Sequence, residues 1–195
     1  MRAPAEAIAM ARSLLGVPWV HQGRNQHVGI DCVGLLLLAY EIPYDYRGYS
    51  THPHNGLLEH HLQCAFGAPA RLERPAIALS DLRVGEVLAM TTTGGRVARH
   101  VGLVGDYAYG GVSLIHTDAA LGRVVECGLD EATVSNILKV FTPWADLQDN
   151  LPAVSSAPSS ATLPAAVTPP ASPGGSRSVR AWRPPRSPPT STPRA

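Results

Sequence analysis

Apolar positions along this chain recur with a helical period in the first third and with an alternating period after residue 86. Pro4 followed by Ala5-Glu6-Ala7-Ile8-Ala9-Met10-Ala11-Arg12-Ser13-Leu14-Leu15 reads as a helix. Pro stands in its first turn, Gly16 stops it, and Ile8, Ala11, Leu14 and Leu15 share the buried face. Val17-Pro18-Trp19 cannot continue that helix, and Gly23, Asn25 and Gly29 mark a loop. Asp31-Cys32-Val33-Gly34-Leu35-Leu36-Leu37-Leu38 then predicts a buried helix with Cys32 in its first turn, and residues 56–66 predict another. Short apolar runs follow at residues 87–90, 99–104, 112–117, 123–127 and 137–141, separated by turn residues. Helices first and strands afterwards predict an α+β domain, with N-terminal helices packed on an antiparallel sheet.

Composition sets the boundary of that domain. All 15 acidic residues and 11 of the 16 basic ones lie in residues 1–150, a net charge of −4, whereas residues 151–195 carry five Arg and no acid. The last 45 residues also hold 11 Pro and 9 Ser and few large apolar side chains, so burial there cannot offset the entropy of ordering. The expected organisation is a folded domain over residues 1–148 and a disordered Pro/Ser/Ala/Arg-rich tail over 149–195. A slightly acidic body argues against specific nucleic-acid binding, and the spaced arginines read as a solvated tail.

Three cysteines, at 32, 64 and 127, with no C-x-x-C pair indicate neither a disulfide framework nor a zinc ribbon. The apolar run from Ala7 to Ala11 is too short for a signal-peptide core, and no stretch reaches transmembrane length. Synthesis in the cytoplasm without a signal peptide, and no membrane span, are the expectations. His52, His54, His60 and His61 form a cluster that suggests a metal, but neighbours on a helix point about 100 degrees apart. No carboxylate completes a ligand set, so surface histidines, no metal and no cofactor are expected.

The chemistry is expected around Cys32. The first turn of a helix offers unpaired N–H groups and the positive end of the dipole, which favour thiolate over thiol. His100 and His116 lie on either side of a plausible hairpin loop at residues 105–111. A loop symmetric about Ala108 would pair Val104 with Val112 and set His100 directly opposite His116 on one face. His100 would take the thiol proton, and His116 would hold the ring of His100 in one tautomer. The Cys32 backbone N–H would meet the oxyanion of an acyl-transfer intermediate, and Asp31 would cap the helix. Trp19 and His21, with Tyr44 and Tyr46 of the tyrosine-rich loop, are the expected walls of a substrate cleft, and Asp31, which shapes the turn before the helix, is expected among the substrate-binding residues.

Taken in order, Trp19-x-x-Gln22-Gly23-Arg24, Gly29-Ile30-Asp31-Cys32-Val33-Gly34-Leu35, Arg99-His100-Val101-Gly102-Leu103-Val104-Gly105-Asp106, and Leu114-Ile115-His116-Thr117 with Gly122-Arg123-Val124-Val125-Glu126 resemble the NlpC-type cell-wall cysteine peptidases. The phage-tail and gene-transfer-agent members look most similar. The resemblance implies a papain-like α+β fold and cleavage of peptidoglycan stem peptides at the γ-D-glutamyl bond to diaminopimelate. It also implies phage-like tail proteins as partners, and a place in a virion or tail particle that acts in the periplasm of a target cell. Under it Cys32 is the nucleophile, His100 the base and His116 the orienting residue. Two alternatives on the same fold are a structural tail component without turnover and a thiol acyltransferase. Two positions depart from the family's pattern: His21-Gln22-Gly23 stands where an aromatic and Gly-Gly are usual, and Val84-Gly85-Glu86 replaces Pro-Gly-Asp.

Overall fold

A computed structural model describes residues 1–51, 55–72, 76–91 and 95–144; the tail expected from residue 149, and His52 and His54, lie outside the described residues. In chain order the elements are α1 (Pro4–Ser13), β1 (Arg24–Asn25), β2 (Gly29–Ile30), α2 (Cys32–Tyr40), α3 (Leu57–Phe66), β3 (Arg71–Leu72), β4 (Val87–Met90), β5 (His100–Asp106), β6 (Val112–Asp118), β7 (Arg123–Gly128), α4 (Glu131–Val134) and β8 (Ile137–Phe141). The fold is α+β, as the change of period requires. The elements without a sequence signal are β1, β2, β3 and α4, which are two to four residues long and too short to show a period.

Pro4 opens α1, and the helix ends at Ser13 rather than running to Leu15. Leu14 stays buried, but Leu15 is 43% exposed, so its expected place on the buried face is corrected. The chain has left the helical path by Leu15, one residue before Gly16 at φ +84 turns it away.

Among the described residues, six strands form one sheet in the order β3-β8-β4-β5-β6-β7, and every neighbouring pair is antiparallel. Alternation divides its side chains. Val87, Ala89, Val101, Leu103, Ile115 and Val124 join Ile8, Leu35, Leu36 and Leu62 in the main core under the helices. Leu88, Val104, Leu114 and Val140 pack instead with Leu82, Leu129 and Val134 in a smaller core. Each fully buried Leu or Val contributes about 1.5–3 kcal/mol, which anchors α2 to the sheet that carries the histidines. Glu86 is fully buried, pairs with Arg71 and accepts from the Arg83 N–H at 2.8 Å.

The β5–β6 hairpin is centred two residues' pairing away from the expected register. Asp106 pairs with Val112, Val104 with Leu114 and Leu103 with Ile115, so the turn is symmetric about Tyr109 rather than Ala108. The reason lies in Gly110 and Gly111, which adopt φ +97 and +77 and supply the left-handed backbone that the turn needs. A shift of two in pairing keeps every side chain on its face, whereas a shift of one would reverse it. His100 and His116 therefore still share a face, as diagonal neighbours instead of direct partners.

Candidate active site

The start of α2 is held by Asp31, whose carboxylate caps the helix by accepting the Gly34 N–H at 2.8 Å. The same carboxylate accepts from Arg24 Nη1 at 2.9 Å, the Gln22 N–H at 2.8 Å and the Tyr49 hydroxyl at 2.5 Å. These four bonds occupy the acceptor sites of a carboxylate that is only 3% exposed. Asp31 thus pins the helix, the preceding loop and the tyrosine loop together, and a contact between its carboxylate and substrate would have to displace one of these bonds. Gly34 lets the loop approach: a Cβ there would lie 2.1 Å from the Gly23 carbonyl oxygen.

One cavity of about 410 Å³ opens at the start of α2 and brings together Cys32, His100 and His116. Trp19, His21, Tyr44, Tyr46 and Asp31 also line it, and Leu36, Leu37, Leu58 and Leu62 form an apolar wall. His21 meets Tyr49 edge to face with ring centroids 5.6 Å apart. The residues named from sequence therefore converge on one hollow, although Cys32 and His100 are 68 positions apart.

Within the cavity, His100 Nε2 and His116 Nδ1 are 2.8 Å apart, a hydrogen bond between rings whose centroids are 5.0 Å apart. Continuing the β5–β6 register sets Gly102 across from His116. A Cβ at Gly102 would stand 3.1 Å from the His116 Cβ and 2.7 Å from Leu114 Cδ1, so glycine provides the room in which the two rings meet. The backbone N–H groups of Val101, one residue beyond His100, and of Val33 and Cys32 at the head of α2 favour the anionic form of the Cys32 sulfur. Base, orienting residue and thiol are thus held by adjacent stretches of β5, β6 and α2.

The thiol and the two imidazoles rest uncharged. Burial first, and then the Asp31 carboxylate, push the Cys32 thiol up to about 12 against the pull of those backbone N–H groups. This differs from the expectation that the helix end would favour thiolate: burial in the cavity and the negative charge of the neighbouring capping carboxylate both penalise the anion. Part of the Cys32 surface nonetheless remains open. Burial, helped by neighbouring His116, lowers His100 to about 4, while Asp118 opposes the shift. Burial also lowers His116, again with Asp118 opposing.

Several contributors were not singled out from sequence. Arg24 reaches Asp45 Oδ1 through Nε at 3.1 Å and Nη2 at 3.0 Å, and it donates to the Tyr49 hydroxyl at 2.9 Å. The Trp-x-x-Gln-Gly-Arg run was the available signal for it. Asp118 lines the cavity, and Cys127 Sγ lies 3.9 Å from His116 Nε2. Asp118 could have been found by counting two positions along the strand from His116. The α3 histidines have other company: His61 Nδ1 bonds the Tyr44 hydroxyl and its ring stacks on Tyr46 at 3.9 Å, while His60 Nε2 lies 3.7 Å from Cys64 Sγ.

No family model matches the chain, and no curated protein matches it. Among solved structures it is similar to the NlpC/p60 domain of the peptidoglycan hydrolase SagA, with 18% identity over 72% of this chain and 99% of that one and a TM-score of 0.45. An NlpC/p60 family protein from Bacillus cereus shows 16% identity over 72% of this chain and 40% of its own, with a TM-score of 0.49. The peptidoglycan hydrolase RipB from Mycobacterium tuberculosis shows 20% identity over 72% and 64%, with a TM-score of 0.42.

Proposed function

We propose that this chain is a cysteine peptidase that hydrolyses bacterial cell-wall stem peptides, at a γ-D-glutamyl–diaminopimelate type of bond. The observation that carries the chemistry is the hydrogen-bonded His100–His116 pair in the same cavity as Cys32 at the start of α2. The choice of substrate is supported by the ordered motif set that resembles the NlpC-type peptidases. The aliphatic side of the cavity suits the methylene arm of a stem-peptide residue. The further reading, on the same resemblance, is a component of a phage or phage-like tail that opens the wall locally for DNA delivery, and that acts in the periplasm of the target cell.

In this mechanism His100 Nε2–H donates to His116 Nδ1, which leaves His100 Nδ1 free to take the Cys32 proton as sulfur attacks the scissile carbonyl carbon. The oxyanion meets the Cys32 N–H, which makes no bond within the helix. The imidazolium of His100 then gives its proton to the departing amine, and a thioester remains. Water attacks the thioester with His100 as base, releasing the carboxylic acid and restoring the thiol. Because the resting thiol and imidazole are both neutral, proton transfer accompanies attack rather than preceding it.

The uncharged resting pair also favours a second reading, a structural tail component that keeps the fold without turnover. Digestion of purified Gram-negative peptidoglycan by the wild-type protein and by Cys32→Ala, with mass spectrometry of the fragments, decides between the two. A stem-peptide cut made by the wild type and lost in the variant supports the peptidase, while absence of any cut by the wild type supports the structural component.

A further inference from the structure

We propose that Asp118 is a positioning residue of this site, resting on the thiol-hydrolase reading: its carboxylate holds the imidazolium that forms on the His100–His116 pair when Cys32 gives up its proton. Three placements carry this. Asp118 lines the same cavity as both histidines. The β5–β6 pairs Leu103–Ile115 and Val104–Leu114, continued toward the strand ends, set Asp118 across from His100. On β6 itself Asp118 is two positions from His116, hence on the same face of the strand.

The carboxylate is fixed independently of the histidines. Oδ1 accepts the Ala120 N–H at 2.7 Å and the Leu121 N–H at 3.0 Å, in the turn that follows β6. Those bonds hold Asp118 below the usual carboxylate range, so it is ionised wherever the pair is at work. No hydrogen bond joins it to either ring among the described residues, so it acts through its field from the open rim of the cavity.

The other charged or titratable groups around the pair do not supply this. Asp31, at the head of α2, is paired with Arg24 at 2.9 Å and acts on the thiol. Arg99, just before β5, lines the cavity with the wrong sign to hold an imidazolium. Cys127 on β7 faces His116 Nε2 as a thiol that burial and neighbouring carboxylates keep protonated. Cys32 is itself the proton donor. Asp118 is the remaining anion, and it opposes the burial that otherwise disfavours charge on both rings.

The test uses the full chain with Asp118→Asn, which keeps an oxygen for the Ala120 and Leu121 N–H groups and removes only the charge. Ring-proton NMR titration of His116, together with the rate of fragment release from purified peptidoglycan, is expected to show two changes. The protonation midpoint should fall by about one pH unit and the rate by about tenfold. Asp118→Glu should recover both, and thermal unfolding of the Asn variant should match the wild type. An unchanged His116 midpoint in Asp118→Asn overturns the inference, as does a rate loss that tracks only a lowered melting temperature. Cys32→Ala separates this from the underlying reading: undiminished cleavage by that variant would remove the thiol mechanism itself, whatever Asp118 does.

Discussion

Two histidine pairs in this chain have almost the same ring geometry and different chemistry. His60 and His61 on α3 have centroids 5.2 Å apart at an interplanar angle of 71°, and His100 and His116 across β5 and β6 have centroids 5.0 Å apart at 76°. The strand pair shares a direct 2.8 Å hydrogen bond and lines the same cavity as the Cys32 thiol. The helix pair diverges to separate partners, exposed His60 to Cys64 and His61, which lines the cavity wall, to Tyr44 and Tyr46. Adjacent helical positions diverge, whereas strand neighbours on one face project side by side, so only the second arrangement can build a relay. Ring proximity by itself is therefore no sign of a catalytic pair.

The sharpest way to break this contrast is to remove one member at a time and follow fragment release from peptidoglycan. Cys32→Ala and His100→Ala are expected to lose about 10³-fold or more, because nucleophile and base act as a unit. His60→Ala should stay within about twofold of the wild type, since His60 is outside the cavity lining. An equal loss in His60→Ala would erase the distinction between the pairs.

A smaller effect is expected at His116, which acts through His100. His116→Ala should cost about 10²-fold in fragment release, and His116→Asn, which keeps an acceptor, should recover part of it. Equal rates for the two variants would mean that the 2.8 Å bond does not orient the base.

Burial of the strand pair also predicts how stability varies with pH. His100 is lowered to about 4 in the folded chain, so below about pH 6.5 the unfolded chain binds a proton that the folded chain refuses. Stability should then fall progressively as pH drops from about 6.5 to about 4, by about 3 kcal/mol from this group. Carboxylates such as Asp106 and Glu126, lowered mainly by their bonds to Arg12, lose stabilisation in the same direction at lower pH. The difference between wild type and His100→Phe in denaturant unfolding isolates the histidine. A wild-type slope identical to that of the variant would count against a buried neutral His100.

The mildest expectation concerns the thiol in the free protein. Cys32 alkylation by iodoacetamide, read by peptide mass spectrometry, should keep climbing between about pH 9 and 11 instead of levelling near neutrality. A plateau near pH 7 would indicate a preformed thiolate–imidazolium pair.

Local chemistry made much of this readable from sequence. Asp31 before an apolar run announces a capped helix with Cys32 in its first turn, and the five longer strands show their alternation directly. The hairpin register departs by two from the loop-midpoint expectation because Gly110 and Gly111 decide where the turn falls. Leu15 is exposed although its apolar character fits the helical stripe, because the helix has already ended at Ser13.

Residue types and their spacing by themselves determined the α+β order, the cysteine at a helix start, and two histidines on one face of a sheet, since these follow from periods of 3.6 and 2. Tertiary structure alone decided that Asp31 spends its four acceptor sites on the protein, that Gly102 clears room for His116, and that Asp118 shares the histidines' cavity. It also decided the charge of the resting site. Protonation depends on burial and on partners brought from distant parts of the chain, and neither quantity is carried by a residue's neighbours in sequence.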